Sequence, residues 1–234
     1  MDKKLKLIVN LDTHKTRHQL ADVMRWTKDI GMFTLDRSRE DSCIHKTDFC
    51  DATCFNNKLE IAFKHAIEPK DIKNDEAWYD NDTKGLAKAL SRKRNQTSRV
   101  RLMSRGEAFK DIKDTVRVMR ILRDNPDSIF WIPTRAWRDK ELWDKIKDIP
   151  KLFNNVRILW SFDPSNSISD WKLSVDSGQS VMFYGDDELL SDPVTKERMF
   201  KCPKTHKKLD GHCNICKGGC FRADKRVIVH LKQH

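Results

Sequence analysis

The chain lacks a long apolar run. Near its start only Leu5–Leu11 (LKLIVNL) is apolar, which is shorter than a signal-peptide core or a membrane span. The sequence therefore reads as a cytoplasmic protein with no membrane partner. It also lacks low-complexity tracts, a sequence repeat and a clear linker, which argues for a single domain over residues 1–234. Acidic residues are in deficit: 35 Asp and Glu stand against 46 Lys and Arg, a net charge of +11. Such a surface draws polyanions and makes nucleic acid a candidate partner. An even number of cysteines is missing as well. Seven cannot all pair, and cytoplasmic thiols stay reduced, so no disulfide framework is expected.

What is present is polar but able to fold. Hydrophobic residues make up 38% and charged residues 35%, and the mean hydropathy is −0.72. Seven Trp and eleven Phe are enough to anchor a core, which argues against wholesale disorder.

Periodicity gives an element order. Leu5–Leu11 reads as a strand. His18–Ile30 has helical spacing through Leu20, Val23, Met24, Trp26 and Ile30, and Gly31 suits its end. These make residues 1–42 an N-terminal strand–helix unit. Met32–Thr53 looks irregular, and a helix is expected over Asn57–Ile67, so residues 43–66 hold a first cysteine cluster and the helix behind it. Asp71–Asp82 is acidic and reads as a surface loop. The basic segment 84–101 contains Lys84, Lys88, Arg92, Lys93, Arg94, Arg99 and Arg101. It reads as a solvated helix face or as a phosphate contact for nucleic acid.

The stretch 99–190 is the most regular. Strands are expected at Arg99–Ser104, Ser128–Pro133, Val156–Phe162 and Ser180–Tyr184. Helices are expected over Asp111–Asp124 and Lys140–Phe153, with a short crossover around Trp171–Leu173. This alternation predicts an α/β fold of parallel βα units, drawn as a partial, open TIM-like barrel. A last strand, Arg226–Leu231, follows a cysteine-rich metal-binding segment within residues 200–234.

The cysteines fall into two clusters. Cys43, Cys50 and Cys54 lie in CIHKTDFCDATCF, and Cys202, Cys213, Cys216 and Cys220 in CPKTHKKLDGHCNICKGGCF. Thiolates bind soft or borderline metals, and four of them close a coordination sphere around zinc or a [4Fe–4S] cluster. Gly211, Gly218 and Gly219 let the backbone turn so that sulfurs converge. His206, His212 and His230 read as neighbours of this site rather than ligands, because four cysteines suffice. Three thiolates instead leave one iron of a [4Fe–4S] cluster open. Alternatively, His45 or Asp48 completes a zinc site, or the three cysteines are simply buried.

Each expected parallel strand ends in polar residues, and parallel α/β folds build sites at those ends. One rim is expected to collect Glu107, Arg135, Asp163 and Asp186.

The pattern from Cys43 through Cys54-Phe55, SRGEAF, FWIPTRAW, SFDPS and the terminal C-x2-C-x3-C before RVIVH resembles the gene-product-88-type proteins of phages and plasmids. That resemblance implies a common organisation and a mobile-element origin, hence the cytoplasm of a host cell, but no reaction. The sequence is more loosely similar to radical S-adenosylmethionine enzymes, which carry three cysteines after the first barrel strand and a glycine–glutamate segment after the second. Here the spacing is x6 and x3 rather than x3 and x2, and Arg105 replaces a glycine. The likeness implies Cys43, Cys50 and Cys54 as cluster ligands. Ser104, Gly106 and Glu107 would bind the cofactor S-adenosylmethionine, and Glu107 would take its amine. Arg135 and Asp163 would line a catalytic site, and Cys202, Cys213, Cys216 and Cys220 would hold an auxiliary cluster. The alternative is a zinc-stabilised, nucleic-acid-binding protein without catalysis.

Overall fold

Along the parallel strands both alternating faces are apolar, and different parts of the chain cover them. The computed structural model describes residues 18–79, 83–91, 99–207, 212–216, 218–221 and 225–233. It shows one eight-stranded sheet with the order β1-β2-β3-β4-β5-β6-β8-β7. The strands are β1 (Arg25–Thr27), β2 (Met32–Leu35), β3 (Arg99–Leu102), β4 (Ile129–Thr134), β5 (Val156–Phe162), β6 (Val181–Gly185), β7 (Phe200–Lys201) and β8 (Ile228–Lys232). β1 pairs antiparallel with β2, and every other neighbouring pair is parallel. The α/β class and the parallel units expected from the sequence are therefore present, on an open sheet.

Register fixes which side chains share a face. Phe33, Val100 and Phe130 are aligned across β2–β4, as are Trp160, Val181 and Ile228 across β5, β6 and β8. This face packs against helices. Ile112–Asp124 supplies Val116, Val118, Met119, Ile121 and Leu122, and Ile168–Asp176 supplies Trp171. The opposite face carries Arg101, Trp131, Pro133, Leu159, Ser161, Met182, Tyr184, Val229 and Leu231. Its apolar part packs under Cys202, Cys213, Cys220 and Phe221 of the C-terminal segment.

Several expected elements are corrected. The helix expected over His18–Ile30 is only Leu20–Val23; β1 follows at once and turns back into β2. Pairing with β2 wins over helical spacing, and Trp26 packs edge-on against Phe33, 5.4 Å between ring centres. Gly31, at φ 68°, serves that hairpin rather than a helix end. The irregular Met32–Thr53 in fact contains β2 and helices Arg39–Ser42 and Asp48–Thr53. The helix expected over Asn57–Ile67 breaks at Phe63 into Phe55–Ala62 and Lys64–Trp78, and the second of these absorbs most of the expected loop Asp71–Asp82. Asp71 and Asp75 on it are matched by Arg105 and Arg37, so acidity there does not mark a loop. Lys140–Phe153 divides into Lys140–Ile146 and Ile149–Leu152. The expected strand Leu5–Leu11 lies outside the described residues.

Candidate metal and cofactor site

The loops after β2 and β3 are stitched together, and that fixes the first cysteine cluster. Met103 N–H donates to Leu35 O at 2.8 Å and Arg37 N–H to Arg105 O at 3.1 Å. Asp36 accepts from the Ser104 hydroxyl and from Arg105 N–H. Arg37, fully buried, pairs with Asp114 at 2.8 Å and Asp75 at 3.3 Å, while Trp78 Nε1 donates to Asp114 at 2.6 Å. Buried charge is tolerated here because each partner is present. The loop 36–54 is thereby tied to the helix behind β3.

Gly106 makes the turn after β3 possible. Its φ is 83°, and a Cβ there would lie 2.8 Å from Arg37 O and 2.8 Å from Ser42 Oγ. The turn delivers Glu107 into the interior. Glu107 Oε1 accepts from Ala108 N–H, Phe109 N–H and Thr134 Oγ1, and among the described residues Oε2 accepts only from Arg135 N–H, at 2.9 Å. Among the described residues no cation pairs with this carboxylate, and burial raises its pKa despite those hydrogen bonds.

Arg135, following β4, pairs with Asp163 after β5 at 2.8 Å. Asp163 also accepts from Thr47 Oγ1 at 2.7 Å, which joins this pair to the cysteine loop. Burial alone would raise the Asp163 carboxyl; the Arg135 charge and hydrogen bonds from Ser165 and Thr47 leave it below its ordinary value. The three expected catalytic residues are thus brought together. Asp186 is not among them: its carbonyl accepts from His230 Nε2 at 2.6 Å.

Cys43, Cys50 and Cys54 line one cavity of about 160 Å³ with His45, Ser104, Gly106, Glu107 and Arg135. Burial pushes the Cys43 thiol up to about 12, helped by the Glu107 charge. Burial also raises Cys50, against the pull of Arg135 beside it. Neither ionises alone near neutral pH, so a metal is what would draw off these protons. The Ser104 hydroxyl is engaged by Asp36, so Ser104 contributes its position rather than a free donor.

Cys202, Cys213, Cys216 and Cys220 line a second cavity of about 260 Å³ over the same sheet face. Arg101, Tyr184 and Leu231 line both cavities and form the wall between them. Burial raises the Cys213 thiol to about 11 and Cys220 further. Gly218 N–H donates to Cys216 Sγ at 3.2 Å. Of the basic segment, Arg92, Lys93 and Arg94 lie outside the described residues. Arg99 donates to the carbonyls of Cys213 (2.6 Å) and Cys216 (2.8 Å), and Arg101 stacks on Trp131 at 4.7 Å. These two face the cysteine segment. They alternate with the buried Val100 and Leu102 in RVRL, a strand pattern that the reading of this segment as a helix face or phosphate contact missed. Thr47 carried no local signal.

His206 and His230 hydrogen-bond each other at 2.7 Å. With Asp187 they form a compact group of possible metal ligands, but Asp187 is paired with Lys201 and Lys232. The His212 side chain lies outside the described part of the structure.

No curated protein and no solved structure matches this chain. The family model described as gene product 88 matches residues 3–228, and the chain therefore belongs to the gene product 88 family.

Proposed function

We propose that the protein is an iron–sulfur enzyme of phage or plasmid type that binds S-adenosylmethionine beside a three-cysteine cluster. The observation that carries this is one convergence: Cys43, Cys50 and Cys54 from the loop after β2 share a cavity with Glu107 and Arg135 from the ends of β3 and β4. Seven neighbouring strands run parallel, and the first six of them, β2 to β6 with β8, are also what a partial βα barrel gives when laid flat.

The residues fit such a group. The buried Nη1 of Arg135 and Nε2 of His45 have no hydrogen-bond partner among the described residues, and both residues line the cavity. Sulfides and thiolates would be acceptors for them. Asn56 Nδ2 lies 3.7 Å from Cys54 Sγ, a second donor aimed at sulfur.

Cys43, Cys50 and Cys54 would hold a [4Fe–4S] cluster, which when bound would supply single-electron chemistry to a cofactor. The chain's own residues orient that cofactor. Glu107 Oε2 keeps one acceptor site for an ammonium, which would relieve its unpaired buried charge. Arg135, held by Asp163, lies close enough to Cys50 for its charge to favour the thiolate. Cys202, Cys213, Cys216 and Cys220 would hold the second cluster. The zinc-stabilised, nucleic-acid-binding alternative rests on the +11 charge and on the rest of the basic segment.

Anaerobic purification with iron, zinc and sulfide counted on one sample tests this. We expect broad absorption near about 400 nm and about eight irons per chain, falling to about four in Cys54→Ala. Glu107→Ala should keep its iron and lose S-adenosylmethionine binding. One or two zincs with no iron would end the proposal.

A further inference from the structure

A second depression opens beside the three-cysteine cavity, and its chemistry opposes that of the whole chain. It is a groove of about 870 Å³, lined by seven carboxylates and only two cations, Arg39 and Lys64, in a protein of net charge +11. Four of the seven are neutralised by arginines and a lysine: Asp51, Glu60, Asp71 and Asp75 pair with Arg39, Lys46, Arg105 and Arg37. Glu40 and Asp41 are exposed and pair with no cation among the described residues, and Glu68 has only Lys64, one helical turn away on the surface.

The same groove is apolar in part. Ile61 is 82% exposed and Ile72 70% exposed, and both line it together with Ile67. Isolated exposed apolar residues need no explanation, but a cluster rimmed by charge marks a surface that another molecule covers. Charge complementarity selects that molecule. An acidic lining repels nucleic acid and anionic membranes alike, and attracts a cationic chain. Isoleucines spaced between carboxylates suit side chains that alternate between apolar and basic.

We infer that this groove docks a cationic polypeptide segment with apolar side chains. Arg39 and Asp51 line both the groove and the three-cysteine cavity, so residues next to the docked segment reach the cavity mouth. The inference that such a polypeptide is the substrate rests on the proposed iron–sulfur chemistry; the docking itself does not.

The test is fluorescence anisotropy of a short fluorescein-labelled peptide of alternating lysine and leucine, titrated with the metal-loaded full-length protein. Saturable binding is expected, weakening about tenfold when serine replaces leucine in the peptide. The paired surface variants Ile61→Ser with Ile72→Ser, and Asp41→Lys with Glu68→Lys, should each weaken it about tenfold while far-UV circular dichroism stays unchanged. Cys54→Ala should bind the peptide as the parent does; a parent protein that carries no iron yet still binds the peptide would overturn the chemistry and leave the docking site standing. No saturable binding, or binding indifferent to the groove variants, overturns the docking site. So does an oligonucleotide that binds with the same sensitivity to those variants.

Discussion

Gly106 and Gly178 both hold left-handed backbone, at φ 83° and 66°, yet only one sits where a side chain would collide. At Gly178 a Cβ meets nothing within 4 Å, so Gly178→Ala carries only the backbone term, about 1 kcal/mol. At Gly106 the Cβ would lie 2.9 Å from Arg37 Cβ and closer still to Arg37 O and Ser42 Oγ. None of these can yield freely. Arg37 is pinned by Asp75 and Asp114, and Ser42 Oγ accepts from Glu107 N–H at 2.9 Å while donating to Ser38 O. Gly106→Ala is therefore expected to cost about 3 kcal/mol, backbone strain and collision together. Urea denaturation of both variants checks it: similar losses at the two positions would mean that the turn relaxes. A further consequence belongs to this residue. Because the turn delivers Glu107, Gly106→Ala should also weaken cofactor binding, and Gly178→Ala should not.

The helix Ile112–Asp124 was legible because its apolar residues recur at helical spacing. The expected helix took in Asp111, which is instead its cap. In the structure Asp111 accepts from Asp114 N–H at 2.9 Å. Asp111→Ala should cost about 1 kcal/mol with iron content unchanged, read by the same denaturation. β5 is likewise found at Val156–Phe162 as expected, since a buried parallel strand reads as a continuous apolar run. Where long-range pairing decides, sequence period misleads. Leu20, Val23, Met24, Trp26 and Ile30 look like one helical stripe. Yet Trp26 lies in a strand opposite Phe33, and only Leu20–Val23 is helical. Charge misleads in the same way. Asp71 and Asp75 read as loop residues, but their arginine partners are 34 and 38 positions away. The site divides along this line. Cysteine spacing and strand-end polar residues named Cys43, Cys50, Cys54, Glu107, Arg135 and Asp163, which do converge. The Thr47 link to Asp163 spans 116 positions and left no local trace.

At the scale of the molecule, the sheet is unequally protected. One face is covered by helices whose own hydrogen bonds hold them together. The other has Met32, Trp131, Leu159, Met182 and Val229 packed beneath a C-terminal segment with little regular structure. Among the described residues that cover consists of Pro203–Lys207, His212–Ile215 and a short 3-10 turn at Gly219–Phe221. Helices of four or five residues do not persist alone, so ligation by Cys202, Cys213, Cys216 and Cys220 is what would hold them over the apolar face. Cys216 separates ligation from packing, because it is not among the cysteines packed against that apolar cluster. Cys216→Ala should therefore unseat the cover without carving into the core. An apolar dye should gain fluorescence several-fold, and emission from Trp131, now 3% exposed, should shift to the red. Far-UV circular dichroism should fall little, since the helices on the other face have lost nothing. A variant that binds no more dye than the parent would show that packing alone retains the segment. Cys202, Cys213 and Cys220 would then be core residues rather than ligands.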